Sequence, residues 1–208
     1  MDAPVRPGAL ALVGPLSTDS VAHRVFLLSP ANCSGKRAGY LLNGTSSTSL
    51  AVRLRSSEGA TIGEVFTFMS ALYFRGKLAY AAAFSRPPLG WDGVQVIVPG
   101  RGLRPASERI DLGDLQKISK VDVDLEDKRY TRPLRRDAGR LADGLLPDEK
   151  VVLLGSIATP KYLDPLKDVL GTRLHYPEAF VGLGDMSRGS LMLKCAAEGR
   201  ELAYVQPA

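Results

Sequence analysis

The sequence predicts an α/β protein with a small, largely parallel sheet flanked by helices. Short, almost wholly apolar segments recur along the chain, as is typical of strands that are buried on both faces of a parallel sheet. Longer segments with apolar residues at helical spacing alternate with them. The three clearest strands each lead into a loop that contains glycine, proline and a cation. Such loops gather at the carboxyl edge of a parallel sheet, where ligands bind.

Length and composition fit one cytoplasmic domain. Residues 1–22 are rich in Pro, Gly, Ser and Ala and are expected to form a loosely ordered lead-in to a single domain over 23–208, to which a helical lobe could be appended. The sequence predicts no membrane-spanning helix and no secretory signal, so no membrane partner is expected. The two cysteines and two histidines lack the spacing of metal ligands, and we expect no metal and no cofactor. A net charge of +5 favours a polyanionic partner without deciding it, and the oligomeric state stays open.

The first part of the domain is predicted to contain one strand and one long helix. Residues 24–31 form the first apolar segment, and residues 40–49 are predicted to be a turn or flexible loop because Asn, Gly, Ser and Thr dominate them. Apolar residues at helical spacing predict a helix over 63–85, which the prolines at 87–88 would end. Gly76 weakens that helix, which indicates close packing or the close approach of a ligand.

The middle of the chain carries the second and third strands. Residues 94–98 are almost continuously apolar, and 111–119 could form a short helix. Residues 121–125 alternate with period two, so they are interpreted as a strand whose aspartates face solvent. A helix is predicted over 133–145, and the third apolar strand over 151–155.

Two helices and two minor strands complete the prediction. Thr159 is a plausible N-cap for a helix over 160–170, because proline at 160 is tolerated in a first turn. A second helix is predicted over 185–198. Residues 176–177 and 202–205 are predicted to be minor edge strands.

The strand-end loops supply candidate ligand-binding residues. Glycines let backbone N–H groups approach an anion and Lys or Arg adds the opposing charge, so a phosphate-bearing ligand is favoured. The alternative is that these are ordinary connections with surface cations. The segment 33–36 lacks the full spacing of a P-loop. The candidates are Ser29, Asn32, Ser34, Gly35, Lys36 and Arg37 after the first strand, Arg101, Gly102 and Arg104 after the second, and Ser156, Thr159 and Lys161 after the third.

The stretch 128–136 is the strongest local feature for a polyanion. It carries five cations with Tyr130 among them, which could contact phosphates and stack on a base. A solvated helix entry is the equally weighted alternative. Arg75, Lys77 and Arg188 would extend the patch if the fold brought them together.

Nucleophiles and acid–base groups cannot be assigned from the sequence. Cys33 could be a nucleophile if Lys36 and a helix N-terminus lowered the pKa of its thiol, but it is more typical of a small buried residue at a strand end. Carboxylates stand near predicted loops or element ends without forming a spaced pair. They are Asp111, Asp114, Asp122, Asp124 and Asp185.

Three segments, in the same order along the chain, resemble the YaaA (peroxide stress response) family. The strand and loop over 26–31 are similar to that family's opening strand and Ser-Pro-Ala-Lys loop, with Asn32 standing where the family has lysine. The Gly-Leu-Arg-Pro segment at 102–105 and the Ser-Arg-Gly-Ser-Leu-Met segment at 187–192 resemble two further family motifs. The tract 33–36 is also similar to related bacterial domains with a Cys-Ser-x-Lys-Lys loop, which have been likened to uracil-DNA glycosylases.

The resemblance implies a cytoplasmic α/β protein whose basic cleft binds DNA and which is tied to oxidative DNA damage. An arginine replaces the family's tyrosine at Arg101, so no role of that tyrosine carries over. The residues to which the resemblance points are Ser29, Pro30, Arg104, Pro105, Arg188 and Gly189.

Three functional hypotheses follow. The first is a DNA-binding protein with little sequence preference, whose strand-end loops and basic stretch hold phosphates. The second is a glycosylase-like hydrolase that acts on a nucleobase or nucleotide. Ser29, Asn32 and Ser156 would then line a pocket, Asn32 could read a base edge, and an unidentified Asp or Asn would activate water. The third is a protein-interaction module with merely structural loops.

Overall fold

Alternating helices and strands fill residues 22–207, the part of the chain that the computed structural model describes, and the predicted α/β class is confirmed. The predicted lead-in over 1–22 lies outside the described residues, apart from Ala22. The described strands are β1 (Arg24–Leu28), β2 (Ala60–Thr61), β3 (Val94–Val98), β4 (Gly102–Pro105), β5 (Arg109–Ile110), β6 (Lys150–Leu154), β7 (Leu174–Pro177) and β8 (Tyr204–Val205). The described helices are α1 (Lys36–Leu42), α2 (Ser49–Arg55), α3 (Ile62–Phe84), α4 (Leu112–Ile118), α5 (Lys128–Asp143), α6 (Pro160–Leu170) and α7 (Asp185–Glu198).

The main sheet has the strand order β4-β3-β1-β6-β7-β8. Strands β3, β1, β6 and β7 are parallel, whereas β4 and β8 run antiparallel at the two edges. Phe26 in the central strand β1 pairs with Val94 of β3 on one side and with Val152 of β6 on the other. After β1, the chain first adds β3 on one side of β1 and later adds β6 on the other side. This reversal of strand order creates a crevice at the carboxyl ends of β1 and β6.

Two apolar cores cover the faces of the sheet. Phe26 and Leu28 of β1 point into the core that α1, α2, α3, α4 and α7 share, whereas Val25 and Leu27 point into the core formed with α5 and α6. Because successive side chains of a strand alternate between faces, a strand that is buried on both sides is apolar at nearly every position. The continuous apolar segments that predicted β1, β3 and β6 have this physical origin.

Three local predictions need correction. Residues 121–125 form no strand, because the Asp124 carboxylate accepts a hydrogen bond from the Glu126 N–H at 2.9 Å and turns the chain toward α5. Helix α5 begins at Lys128 rather than at 133, since the Asp127 side chain caps the Arg129 N–H. The predicted loop over 40–49 contains the end of α1 and the start of α2, and its central residues do form a turn.

Helices α3 and α7 cross at two glycines. A Cβ atom on Gly76 would lie 2.5 Å from the Gly189 carbonyl oxygen, and a Cβ atom on Gly189 would lie 2.9 Å from the Leu72 carbonyl oxygen. Of the two explanations for Gly76, close packing is therefore the one that the structure supports. Gly189, which the resemblance placed in a DNA-binding cleft, lies in this helix interface.

The carboxyl-terminal segment is attached to α3 through a buried phenol. Tyr80 Oη accepts a hydrogen bond from the Leu202 N–H at 2.8 Å and lies 2.7 Å from Tyr204 Oη. We expect Tyr80→Phe to lower the free energy of unfolding by about 2 kcal/mol, because it leaves a buried N–H without an acceptor. Urea denaturation would measure this loss.

Tyr204→Phe is the matched control for that experiment. It removes the other hydroxyl of the pair and leaves the Leu202 N–H bonded to Tyr80. We expect it to cost about 1 kcal/mol or less. Equal losses in the two variants would contradict the assigned role of Tyr80.

None of the helices in residues 22–207 combines the length and apolarity that crossing a membrane requires.

Candidate functional site at the carboxyl edge of the sheet

A cavity of about 510 Å³ opens at the carboxyl edge of the sheet. Residues from the loops after β1, β3 and β6 line it together with residues of α3, α6 and α7 and of the segment after α4. The position is the crevice at which the strand order reverses, where α/β proteins bind ligands. Six sequence-predicted candidates lie in its wall: Ser29, Asn32, Ser34, Ser156, Thr159 and Lys161.

The loop between β1 and α1 is held by one amide side chain. Asn32 Oδ1 accepts hydrogen bonds from the Ser34 backbone N–H at 2.9 Å and from Ser34 Oγ at 2.7 Å. This arrangement fixes the turn that leads into α1. The amide nitrogen of the exposed Asn32 side chain remains as a donor toward a ligand.

Helix α6 begins at the opposite wall of the cavity. Thr159 occupies the predicted N-cap position and Pro160 the first turn, but the Thr159 hydroxyl caps no backbone N–H. Its side chain and that of Ser156 are thus available to a ligand. These hydroxyls contribute uncharged polar groups to the wall, beside the charged Lys161.

Ser29 lines the floor of the cavity, and a buried lysine lies behind it. Lys77 is 1% exposed, and its Nζ donates a hydrogen bond to the Ser29 carbonyl oxygen at 2.6 Å and lies 2.9 Å from Ser29 Oγ. The same nitrogen lies 4.4 Å from the ring centroid of Tyr73 and 4.8 Å from that of Phe74. Burial lowers the pKa of Lys77 to about 7, and the carboxylate of Asp185 partly opposes this shift. Lys77 therefore lies beneath the cavity and not in the exposed basic patch for which the sequence made it a candidate.

The third side of the cavity combines α3 with the start of α7. Burial raises the pKa of Tyr73 to about 12, so its phenol is protonated at neutral pH. Asp185 is the first residue of α7 and lines the cavity, with its carboxylate 3.8 Å from the Arg188 guanidinium. Arg188 is 5% exposed and donates to the Phe180 carbonyl oxygen at 3.1 Å. Its guanidinium is thus engaged inside the protein, whereas the prediction had it contact phosphates.

Helix α3 is interrupted beside the cavity. Ala71 has φ 46° and ψ −119°, which divides the helix between the cavity residues Ser70 and Tyr73. A non-glycine residue in this conformation costs on the order of 1–3 kcal/mol. Backbone strain is therefore stored in the wall of the candidate site.

Cys33 lines the cavity, but its thiol is not activated. Burial raises the pKa of Cys33 to about 11, which is the opposite of the lowering expected from Lys36 and a helix N-terminus. Lys36 is exposed at the start of α1, where Gly35 is the N-cap. The interpretation of Cys33 as a small residue at a strand end fits the structure better than that of a nucleophile.

The predicted cations after β3 are paired within the protein. Arg101 donates to Glu108 at 2.6 Å, and Arg104 lies 3.9 Å from the same carboxylate. Gly102 has φ 84°, and a Cβ there would collide with Asp137 of α5. Its role is the close approach of β4 to α5. Among the residues of this loop, Pro99 is the one that reaches the cavity.

Two other predicted cations lie apart from the cavity. Arg37 and Arg75 border a separate depression together with Tyr40, on the surface between α1 and α3. Arg75 does not join Lys77, Arg188 and the 128–136 stretch in one patch. The sequence-predicted set of cations is thus distributed over several surfaces.

The exposed basic residues at the start of α5 adjoin the cavity. Lys128, Arg129, Arg132 and Arg136 border a shallow depression that also includes Gly100. A Cβ on Gly100 would lie 3.1 Å from the Val121 side chain, and Val121 and Pro99 both line the cavity. We call these four cations the α5 basic face. They lie beside the cavity and not inside it.

Within the described part of the chain, two members of the α5 basic face lack a partner of opposite charge. Arg129 pairs with Asp127 and Arg136 with Asp137, each at 2.7 Å. For Lys128 and Arg132, no carboxylate partner is found within residues 22–207. Tyr130 is buried, with its hydroxyl donating to the Lys161 carbonyl oxygen at 2.8 Å, so it cannot stack on a base as predicted.

Sequence reasoning missed several residues of the wall. Tyr73 and Tyr162 lie within the predicted helices over 63–85 and 160–170 but were not candidate site residues, and Ser70 and Ser119 had no motif. Asp122 and Asp185 were named as carboxylates at element ends, and both line the cavity. Proximity to an element end was the signal that found them.

No protein-family model matches the chain, and comparisons with curated proteins and with solved structures find no match. Within residues 22–207, no cluster of three or more His, Cys, Asp or Glu residues could hold a metal ion. The family resemblance therefore stays a prediction, and a functional assignment depends on the geometry of the cavity.

Proposed function

We propose that this protein binds single-stranded or distorted DNA, with one unpaired nucleobase in the carboxyl-edge cavity and the neighbouring phosphates on the α5 basic face. The observation that carries the proposal is the juxtaposition of a cavity wall rich in uncharged polar groups and an exposed row of cations. The cavity volume of about 510 Å³ suits a ligand of nucleoside size.

The chemistry of the wall favours a base over a phosphate inside the cavity. Hydroxyls of Ser34, Ser156 and Thr159 and the Asn32 amide can donate to or accept from a base edge. Among the described lining residues Lys161 carries the positive charge, against the carboxylates of Asp122 and Asp185. This balance disfavours a phosphate there, and the phosphates belong on α5.

We expect Lys128→Gln/Arg132→Gln to weaken the binding of single-stranded DNA about tenfold at 0.1 M salt. Removing two phosphate contacts should also make the slope of log K against log salt shallower by about 1.4. Fluorescence anisotropy across a salt series, with single-stranded, bubble and duplex DNA, measures both quantities. Lys194→Gln/Arg200→Gln removes the same charge from exposed positions that line neither the cavity nor the α5 basic face, and it serves as the control.

Occupation of the cavity is tested in the same assay. Ser156→Trp fills the wall from a half-buried position and should remove the preference for unpaired over duplex DNA while leaving the salt slope unchanged. Equal loss of affinity in the α5 double variant and in the Lys194/Arg200 control would contradict the proposed phosphate track. An unaltered preference in Ser156→Trp would contradict a base in the cavity.

A second candidate function is hydrolysis of the bond between base and sugar in a flipped nucleotide. The two carboxylates in the cavity wall favour it. Asp122 and Asp185 are the cavity carboxylates available to activate a water, which the sequence alone did not identify. Release of uracil from uracil-containing single-stranded DNA, lost in Asp185→Asn or Asp122→Asn, would favour the hydrolase over the binding protein.

A further inference from the structure

We propose that Ser29 is an activated nucleophile, with Lys77 as its proton acceptor, and that the cavity catalyses acyl transfer from a small carboxylic ester or amide. The proposal goes beyond DNA binding and does not depend on it. It is carried by the geometry of one pair of side chains at the floor of the cavity.

Both residues of the pair are buried, and Ser29 is the one that lines the cavity. Ser29 is 3% exposed, whereas Lys77 is 1% exposed and lies behind it. A ligand in the cavity can therefore meet Ser29, with the Lys77 amine 2.9 Å from Ser29 Oγ. A Schiff base on Lys77 fits this arrangement less well, because the amine itself would have to contact the substrate.

Ser29 is held in place from several sides. Its N–H donates to the Leu154 carbonyl oxygen at 3.1 Å, and its carbonyl oxygen accepts from Lys77 Nζ at 2.6 Å. A Cβ on Gly155 would lie 3.0 Å from Ser29 Cβ and 3.2 Å from Ser29 Oγ. Glycine at 155 therefore gives the hydroxyl the space that it occupies. A nucleophile that is fixed in this way does not have to be ordered during the reaction.

The surroundings of Lys77 bring its amine next to Ser29. Nζ donates to the Ser29 carbonyl oxygen at 2.6 Å and to Ser29 Oγ at 2.9 Å, and it lies 4.4 Å from the ring centroid of Tyr73. Once the amine is neutral, its lone pair can accept the Ser29 hydroxyl proton over the same 2.9 Å. The nearby charged groups are Asp185 and Arg188 of α7, 3.8 Å from each other. Burial outweighs the carboxylate of Asp185 and lowers the pKa of Lys77 to about 7, so the amine is largely neutral at mildly alkaline pH.

The proposed reaction uses only water as co-reactant. Ser29 Oγ attacks the carbonyl carbon while its proton passes to Lys77 Nζ, which forms a tetrahedral intermediate. The intermediate collapses, the bond to the alcohol or amine leaving group breaks, and Lys77 returns the proton to that group. Water then attacks the acyl-Ser29 ester while Lys77 accepts its proton. The bond from the acyl carbon to Ser29 Oγ breaks, Lys77 passes the proton to Ser29 Oγ, and the carboxylic acid leaves with the serine hydroxyl and the neutral amine restored.

A fluorophosphonate–biotin probe tests the pair without a known substrate. Ser29 should displace fluoride and become phosphonylated, as located by peptide mass spectrometry on the purified full chain. The labelling rate should rise about 30-fold between pH 5.5 and 8.5 as the amine loses its proton. Ser34 and Ser156 line the same cavity and should stay unlabelled, because neither hydroxyl is hydrogen-bonded to a lysine amine among the described residues.

Variants of Ser29 and Lys77 distinguish activation of the serine by the lysine from a purely structural role of the pair. Ser29→Ala should abolish labelling. Lys77→Arg should reduce the labelling rate at least about 100-fold while the fold is retained, because a guanidinium stays protonated over this pH range and cannot accept the serine proton. Absence of labelling at Ser29, a rate that is independent of pH, or equal labelling of Ser156 would overturn the proposal. These three outcomes are read in the wild-type protein, so the proposal stays falsifiable even if Lys77→Arg does not fold.

Discussion

Replacing Gly76 by alanine is expected to lower the free energy of unfolding by about 3 kcal/mol, although the change improves intrinsic helix propensity by about 1 kcal/mol. The added Cβ would lie 2.5 Å from the Gly189 carbonyl oxygen and 3.0 Å from its Cα. Both neighbours are backbone atoms, so relief requires α3 and α7 to move apart. Urea denaturation monitored by circular dichroism measures the loss.

Gly39→Ala is the matched control for Gly76→Ala. Gly39 also lies inside a helix, α1, but a Cβ at this position would meet no atom within 4 Å. We expect this variant to be more stable than the wild type by about 0.5–1 kcal/mol, since propensity then acts without a steric cost. An unchanged free energy of unfolding in Gly76→Ala would show that α3 and α7 are less closely packed than in the structure.

The α3–α7 interface also determines the geometry of the cavity. Tyr73 and Lys77 lie on α3 on either side of Gly76, and Asp185 and Arg188 lie on α7 just before Gly189. Any separation of the helices therefore shifts the groups that surround Ser29. We attribute the glycine pair to the construction of the site and not to ligand contact.

The buried strands could be predicted from the sequence because their physical signal is local. In β1, β3 and β6, both faces of the sheet are covered, so four of the five residues in each strand are apolar. The strand β4 could not be found in this way. Its residues Gly102 and Arg104 have the composition of a loop, and they become strand because they pair with β3.

The location of the candidate site could be predicted from the sequence, but the chemical role of its residues could not. Residues at strand ends, such as Asn32 and Ser156, lie in the cavity because the topology brings strand ends together. Whether each cation is exposed, paired or buried depends on its tertiary partners, which a sequence does not reveal. Glu108 pairs with Arg101, and α3 carries Lys77 into the interior beneath Ser29.

The last prediction concerns the protonation of that lysine. Between pH 7 and 8.5, the free energy of unfolding of the wild-type protein should rise by about 1.5 kcal/mol relative to that of Lys77→Met. The pKa of Lys77 is lowered from 10.5 to about 7 in the folded protein, mainly by burial. In this window the unfolded chain binds the proton and the folded protein releases it, so raising the pH favours folding. Urea denaturation of both proteins at four pH values gives the difference.

The comparison with Lys77→Met isolates this residue from the other groups that titrate at alkaline pH. The raised pKa values of Cys33 and Tyr73 have the opposite effect, because stability is lost as the pH rises toward about 11 and about 12, respectively. Both groups are present in the two proteins, and their contributions cancel in the difference. A difference that is constant from pH 7 to 8.5 would mean that Lys77 keeps its proton in the folded protein. It could then not accept one from Ser29, so this measurement bears on the nucleophile independently of any labelling experiment.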